Sequence, residues 1–246
     1  MNPIILAVDT PDLTLAHSLI GKVRSHIGMI KIGTELWASH GPRALELGSQ
    51  YGLPIFLDLK LHDIPNTVGK TVDVIAFKHC LNYDIRFLSV HAFGCKIMLK
   101  AAVSASRSSL MQIAAVTLLT SLDSRDLHSM GFTDGRENVK TVDLALEAWN
   151  SGVRTFICGP KNCKLMRKHL DDVGTGDKAT LITPGIRNKD WEPDDQIRSA
   201  TVDEAIRNGA NWLVIGRPIT DVADPSDAAK DLSNQAFKAL DKWGMK

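Results

Sequence analysis

Charged residues with the spacing of a proton-transfer site occupy the segment 56–67, which reads FLDLKLHDIPNT. Side chains two residues apart on an extended strand share a face, so Asp58 and Lys60 point the same way, above Phe56 if it also lies inward. Asp63 follows shortly after in the chain. A lysine held charged between carboxylates can donate a proton inside a pocket. The same residues could also form a structural ion-pair network, because buried charges need partners.

Polar residues also lie in or after several other apolar runs of the chain. Lys31 lies in the second run, and its ammonium could join the carboxylates of segment 56–67. Gly216 and Arg217 end the last run. A glycine lets a phosphate approach backbone N–H groups, and an arginine adds a permanently charged, two-pronged clamp. Because phosphate sites of α/β barrels often follow the last two strands, this pair predicts a phosphate site.

Eight short apolar runs alternate along the chain with segments that carry apolar residues at helical spacing. The predicted strands cover residues 4–9, 29–33, 54–60, 86–91, 111–119, 154–158, 179–183 and 211–216. Continuous apolar runs are typical of parallel strands buried on both faces. Eight strand–helix units in 246 residues predict an α/β fold of the (β/α)8 TIM barrel type. The alternative is an open doubly wound sheet, but its Gly-x-Gly-x-x-Gly dinucleotide signature is missing.

The composition fits a single globular domain over residues 1–246, without a linker or a low-complexity tract. The 29 basic and 28 acidic residues give a net charge of +1, so the basic surface of a dedicated nucleic-acid binder is lacking. No apolar stretch approaches the roughly 20 residues that span a bilayer. The four cysteines form no Cys-x-x-Cys pair, which is typical of free thiols in a reducing compartment. We therefore expect a cytoplasmic protein without nucleic-acid or membrane partners.

The segment 58–67 resembles the Asp-x-Lys-x-x-Asp-Ile-Pro-Asn-Thr signature of the orotidine 5′-monophosphate decarboxylase family, in its bacterial form. The resemblance covers essentially the whole chain. Further matching segments are 7–9, 30–33, 116–121, 183–187, 195–196 and 214–218. The resemblance implies conversion of orotidine 5′-monophosphate to uridine 5′-monophosphate and CO₂, the last step of de novo pyrimidine synthesis. It implies neither a cofactor nor a metal.

The resemblance also implies a role for each charged residue of the signature. Lys60 would give a proton to C6 of the pyrimidine as CO₂ leaves. Asp58 and Asp63 would flank it, and Lys31 would complete an alternating Lys–Asp–Lys–Asp chain. These four residues are the expected catalytic residues.

The same resemblance implies a set of substrate-binding residues. They are Asp9, Lys31, Asp58, Asp63, Thr67, Thr120, Arg187, Gln196, Gly216 and Arg217. Asp9, Lys31 and Thr67 would hold the ribose hydroxyls, and Thr120 the pyrimidine. The last four residues of the set would serve the phosphate.

The family pattern implies a homodimer with shared active sites, because Asp63 and Thr67 reach into the partner subunit's site in that family. The long polar segment 185–200, which carries Gln196, is the candidate lid over the substrate. Long connectors of this kind in compact domains are usually functional.

Other functions remain open on the sequence. Magnesium-dependent sugar-phosphate decarboxylases and synthases share the Asp-x-Lys-x-x-Asp motif on the same barrel, but they carry an acidic residue where Lys31 would repel the metal. A ribulose-phosphate epimerase needs two histidines and two carboxylates as metal ligands, and that set is not evident. A catalytically silent phosphate-binding barrel is the alternative outside the enzymes, and the intact Lys60 with both carboxylates disfavours it.

Overall fold

Eight parallel strands close into one barrel in chain order, with β1 hydrogen-bonded to β8. The computed structural model describes residues 1–122, 124–132, 137–173, 179–188 and 199–244. The strands are β1 (Ile4–Val8), β2 (Met29–Gly33), β3 (Ile55–Leu61), β4 (Ile85–His91), β5 (Gln112–Val116), β6 (Thr155–Ile157), β7 (Thr180–Thr183) and β8 (Trp212–Ile215). The predicted (β/α)8 barrel of a single domain is confirmed, since every predicted strand is present.

Helices connect the strands and surround the barrel. They are α1 (Leu13–Val23), α2 (Thr34–His40), α3 (Glu46–Tyr51), α4 (Pro65–Val74), α5 (Cys95–Ser106), α6 (Ser124–Ser129), α7 (Glu137–Asn150), α8 (Cys163–Asp172), α9 (Val202–Arg207), α10 (Arg217–Thr220) and α11 (Pro225–Lys242). Short side chains cap α1, α9 and α11, because the Asp12 and Asp224 carboxylates and the Thr201 hydroxyl accept backbone N–H groups at the helix starts. In the described part of the chain, no helix has the length and apolar character needed to cross a membrane.

Alternation along the strands separates two apolar layers. Residues such as Ile4 and Leu6 face outward and pack against the helices, whereas Ile5 and Ala7 face the barrel interior. In the parallel register Ala7 pairs with Lys31, and Lys31 pairs with Phe56. Lys31 therefore lies in an inward-facing row of the barrel, where a cation needs a partner.

The fifth strand is shorter than predicted, ending at Val116 rather than at residue 119. The backbone N–H and the hydroxyl of Thr117 both donate to the carbonyl of Ile157, at 3.1 and 2.9 Å. Ile157 is the last residue of β6, so the strand ladder ends at this point. The residues that follow, up to Thr120, turn toward the mouth of the barrel and line its cavity.

Candidate active site

A cavity of about 510 Å³ opens at the carboxyl end of the strands. Its floor is apolar, with Ala7, Phe56, Val116, Ile157 and Val214 from the inward-facing layer. Charged side chains of the first three strands line one side, and residues that follow β7 and β8 line the other. The volume suits a small organic molecule with polar groups at both ends.

Asp58 lies at the centre of a chain of ion pairs that crosses the first three strands. Its Oδ2 atom lies 2.7 Å from Nζ of Lys60 and 3.8 Å from Nζ of Lys31. Nζ of Lys31 also lies 2.8 Å from Oδ1 of Asp9. The side chains of Asp58 and Lys31 are 8% and 10% exposed, whereas that of Lys60 is 36% exposed. Of the two ammonium groups in these ion pairs, that of Lys60 is therefore the more accessible to a bound molecule.

Asp58 remains ionised in this buried position. Burial alone would raise the pKa of its carboxyl group, because a low-dielectric environment disfavours charge. The positive charges of Lys31 and Lys60, together with hydrogen bonds from Lys60 and Ser89, outweigh burial and lower that pKa below its ordinary value. The site thus contains a fixed negative charge between two ammonium groups.

The strand that carries Lys60 is irregular. Leu57 pairs with Leu88 and Leu61 pairs with Val90, so β3 uses two more residues than β4 over the same stretch. Within this bulge Lys60 has a φ of 49°, in the left-handed region that L-residues other than asparagine and aspartate rarely adopt. Simple alternation predicted that Lys60 faces the interior, and its side chain does line the cavity. A bulge, rather than a regular strand, places it there.

The predicted phosphate residues Arg187, Gly216 and Arg217 also line the cavity, after β7 and β8. Arg187 is buried, and its Nη1 atom donates to the carbonyl of Ile186 at 2.8 Å, which holds the guanidinium close to the backbone. Arg217 follows Gly216 directly at the start of α10. Thr120, which follows β5, is buried and lines the same cavity. Predicted binding residues that lie in or follow six different strands, β1, β2, β3, β5, β7 and β8, therefore share one cavity.

Two predicted site residues lie outside this cavity. Asp63 is exposed, and its Oδ1 atom accepts the backbone N–H of Ile64. Thr67 is exposed in the first turn of α4. A single chain does not bring either residue to Lys60. Within one chain the ion pairs run Asp9–Lys31–Asp58–Lys60. The Asp63 end of the predicted Lys–Asp–Lys–Asp chain, which the family resemblance assigns to the partner subunit's site, stays a prediction. Gln196 lies outside the described residues.

Two residues at the site were absent from the sequence-based expectation. Ser89 on β4 is fully buried, and its hydroxyl donates to Oδ1 of Asp58 at 2.8 Å. A Cβ atom at Gly33 would lie 3.0 Å from both Oδ1 of Asp9 and Nζ of Lys31, so the missing side chain leaves room for that ion pair. Ser89 could have been found as a polar residue on the inward-facing row of an apolar strand. Gly33 carries no such signal.

The closed parallel barrel, with a charged cavity at the carboxyl ends of its strands, defines a (β/α)8-barrel enzyme. Comparison with known families is more specific, since residues 2–232 match the model of the orotidine 5′-phosphate decarboxylase / HUMPS family. The chain belongs to this family.

Individual relatives agree with the family match. The orotidine 5′-phosphate decarboxylase of Wolbachia sp. subsp. Brugia malayi is 41% identical over 231 residues, which cover 94% of this chain and 97% of that protein. The enzyme of the same name from Thermobifida fusca is 39% identical and covers 96% of each chain. The crystal structure of orotidine 5′-phosphate decarboxylase from Lactobacillus acidophilus superposes with a TM-score of 0.79 at 31% identity, over 96% of this chain and 99% of that one.

Proposed function

We propose that this protein decarboxylates orotidine 5′-monophosphate to uridine 5′-monophosphate and CO₂, the last step of pyrimidine nucleotide synthesis, without a cofactor. Family membership and the names of the similar proteins support the reaction. The observation that carries the proposal is the Lys60 ammonium, held 2.7 Å from buried Asp58 in a cavity that Arg217 also lines. A cavity lined by both an ammonium and a guanidinium suits a substrate that carries a phosphate in addition to its reacting carbon.

Lys60 acts as the proton donor in this proposal. When the bond between C6 and the carboxylate breaks, CO₂ leaves and the electron pair stays on C6. The pyrimidine ring delocalises this pair poorly, so fixed charges must stabilise it. An ammonium beside C6 does so, and one of its protons then forms the new C6–H bond. Lys60 suits this step because its side chain lines the cavity and is fixed in direction by Asp58.

Asp58 has a second effect on the reaction. To bring C6 within reach of Lys60, the substrate must place its own carboxylate close to the ionised Asp58 side chain. Repulsion between the two negative charges raises the free energy of the bound substrate, and this repulsion falls as CO₂ departs uncharged. Lys31, paired with both Asp9 and Asp58, keeps the buried carboxylate from moving away.

Binding energy for this strain comes from the remote phosphate. Arg217 and the backbone at Gly216 clamp the phosphate, with Arg187 and Gln196 as further contacts. Charge-assisted hydrogen bonds to a guanidinium are among the strongest that a protein makes. Contacts far from the reacting carbon can offset the cost of forcing two carboxylates together.

The proposed functional unit is a homodimer with shared sites, in which Asp63 and Thr67 complete the partner's cavity. Two observations support this arrangement. Both side chains are exposed and lie outside the cavity of their own chain. Ile64, between them, is 64% exposed, which is unusual for an isoleucine beside a catalytic motif and is expected of a residue that another surface covers.

The alternative is the magnesium-dependent decarboxylation or synthesis of a sugar phosphate. The site fits this reaction less well. A magnesium ion needs carboxylate oxygens that are free to bind it. Here the Asp9 and Asp58 carboxylates are already paired with the Lys31 ammonium, whose charge opposes a cation at the same place. The donor set therefore favours the metal-independent reaction.

An ultraviolet assay of orotidine 5′-monophosphate consumption tests the proposal directly. We expect rapid loss of substrate absorbance, formation of uridine 5′-monophosphate, and the same rate with an excess of chelator. A hexulose phosphate substrate with added magnesium serves as the comparison. Absence of turnover on the nucleotide, or turnover that chelator abolishes, would contradict the proposed function.

A further inference from the structure

We propose that Ser89 is a positioning residue that sets the place and direction of the Lys60 ammonium through two hydrogen bonds of one hydroxyl. The inference rests on the proposed function, because it assigns Lys60 the role of proton donor. Ser89 lies on β4, is fully buried, and is not a residue that lines the cavity. It acts on the reaction only through the residues of β3 that it holds.

The first hydrogen bond fixes the backbone of Lys60. The Lys60 N–H donates to Oγ of Ser89 at 2.8 Å, at the point where the β3 bulge interrupts the regular ladder with β4. A lysine with φ of 49° is in a conformation that costs free energy and persists only where neighbours enforce it. A side chain of β4 thus replaces the backbone partner that a regular strand would have supplied.

The second hydrogen bond fixes the carboxylate that directs the ammonium. Oγ of Ser89 donates to Oδ1 of Asp58 at 2.8 Å, while Oδ2 of Asp58 accepts a hydrogen bond from Nζ of Lys60 at 2.7 Å. A hydroxyl has one proton, so a group that donates to Asp58 must accept from the Lys60 N–H. Oγ of Ser89 therefore restrains Lys60 in two ways. It binds the Lys60 backbone N–H directly, and it binds the Lys60 ammonium indirectly through the Asp58 carboxylate.

The charged and titratable groups around Asp58 come from several strands. Lys31 of β2 and Lys60 of β3 face its Oδ2 atom. His91 of β4 has a pKa lowered by burial and by nearby His62 and Lys60. Ser89 is the neutral neighbour among them, and its hydrogen bond helps to lower the pKa of Asp58. Loss of that bond should raise this pKa.

The test compares Ser89→Ala and Ser89→Cys with wild type. Alanine removes both hydrogen bonds, and cysteine keeps the approximate volume with a weak donor and acceptor. We expect kcat to fall roughly 10- to 100-fold in the alanine variant and less in the cysteine variant, with KM changed by less than about threefold. We also expect the acidic limb of the kcat–pH profile to move to higher pH, since Asp58 must be ionised. Ser151→Ala, which removes a buried hydroxyl bonded to the Glu147 carbonyl, is the matched control.

A titration of the Asp58 carboxyl carbon by ¹³C NMR separates this inference from the proposed function. If wild type fails to decarboxylate orotidine 5′-monophosphate, the proposed function is wrong, yet a rise of the Asp58 pKa in the variants still supports the positioning by Ser89. If wild type is active, wild-type kcat with an unmoved pH profile in a folded variant overturns the inference. If Ser89→Ala does not fold, the Ser89→Cys variant decides. A wild-type kcat together with an unchanged Asp58 titration in the cysteine variant would also overturn the inference.

Discussion

A Cβ atom on Gly33 would lie 3.0 Å from Nζ of Lys31, which is tighter than most real contacts of a Cβ atom. The same atom would lie 3.0 Å from Oδ1 of Asp9, so it would press on both members of an ion pair. The backbone of Gly33 is extended, with φ of −91°, and imposes no need for glycine. What requires glycine at this position is the space that the ion pair occupies.

Gly33→Ala is therefore expected to displace the Lys31 ammonium and reduce kcat/KM roughly 3- to 30-fold, because small misplacements of a charged site are costly. Steady-state kinetics on orotidine 5′-monophosphate measure the effect. Gly21→Ala on α1 is the control, since its Cβ would make only an ordinary contact, 3.5 Å from the hydroxyl of Tyr51. That helical substitution should leave kinetics unchanged and stabilise the fold by about 0.5–1 kcal/mol. Equal kinetics for both variants would show that the ion pair tolerates the methyl group.

Lys60→Ala should reduce kcat by roughly 10²- to 10⁴-fold or more, because it removes the proton donor and leaves the phosphate clamp intact. Isothermal titration with uridine 5′-monophosphate should give a dissociation constant within about an order of magnitude of wild type. Lys22→Ala, which removes an exposed lysine of α1, is the matched control. Substantial turnover by the Lys60 variant would assign proton donation to another group.

Arg217→Ala should act through binding energy. Loss of a charge-assisted phosphate contact costs about 1.5–3 kcal/mol, or roughly 10- to 100-fold in kcat/KM. The variant should react with orotidine, which lacks the phosphate, as fast as wild type does. Arg24→Ala, at an exposed position that does not line the cavity, should match wild type on both substrates. An equal loss on the nucleotide and the nucleoside would refute the phosphate assignment.

Asp58 predicts an acid-dependent loss of stability. Its carboxyl pKa is lower in the folded chain than its ordinary value of 3.8, so the folded state favours the ionised form. The resulting stabilisation is fully present above that ordinary value and is lost as the pH falls below it toward the folded-state pKa.

Urea unfolding between pH 7 and 3 should show a shallower pH dependence in Asp58→Asn than in wild type. The variant should also be less stable at pH 7 by about 1–3 kcal/mol, because buried Lys31 keeps only Asp9 of its two carboxylate partners and the partly exposed Lys60 loses its pairing with Asp58. Asp73→Asn, an exposed position on α4, is the control, and an identical acid slope in all three proteins would contradict the prediction.

Mixing two inactive chains tests the shared site. If each site takes Lys60 from one subunit and Asp63 from the other, Lys60→Ala and Asp63→Ala chains refolded together form about half hybrid dimers, each with one intact site. Activity should then return to about a quarter of wild type. Each variant refolded alone is the control. No recovery, with hybrid dimers confirmed by native mass spectrometry, would place both residues in one subunit's site.

The barrel could be predicted from sequence because its strands are buried on both faces and read as unbroken apolar runs. Lys31, Asp58 and Lys60 could be placed because strand ends of a parallel barrel meet at one face. The bulge around Lys60 could not, since it depends on a hydroxyl that β4 supplies from 29 residues further along the chain. The exposed position of Asp63 agrees with the shared site that the family resemblance implies, but the turn after β3 would not by itself have given it, because such a turn can direct its side chains many ways.

Closure of the barrel between β1 and β8 has a consequence for biosynthesis. Leu6 can pair with Ile215 only after most of the chain has been synthesised. Lys31 and Lys60 therefore emerge from the ribosome well before Arg217. The two ends of the cavity become one site when Trp212–Ile215 joins Ile4–Val8. A ligand that needs both ends can stabilise only this final form. A polypeptide that lacks β8 also lacks Val214, Gly216 and Arg217 of the cavity lining, so only the closed barrel presents the whole cavity to a ligand.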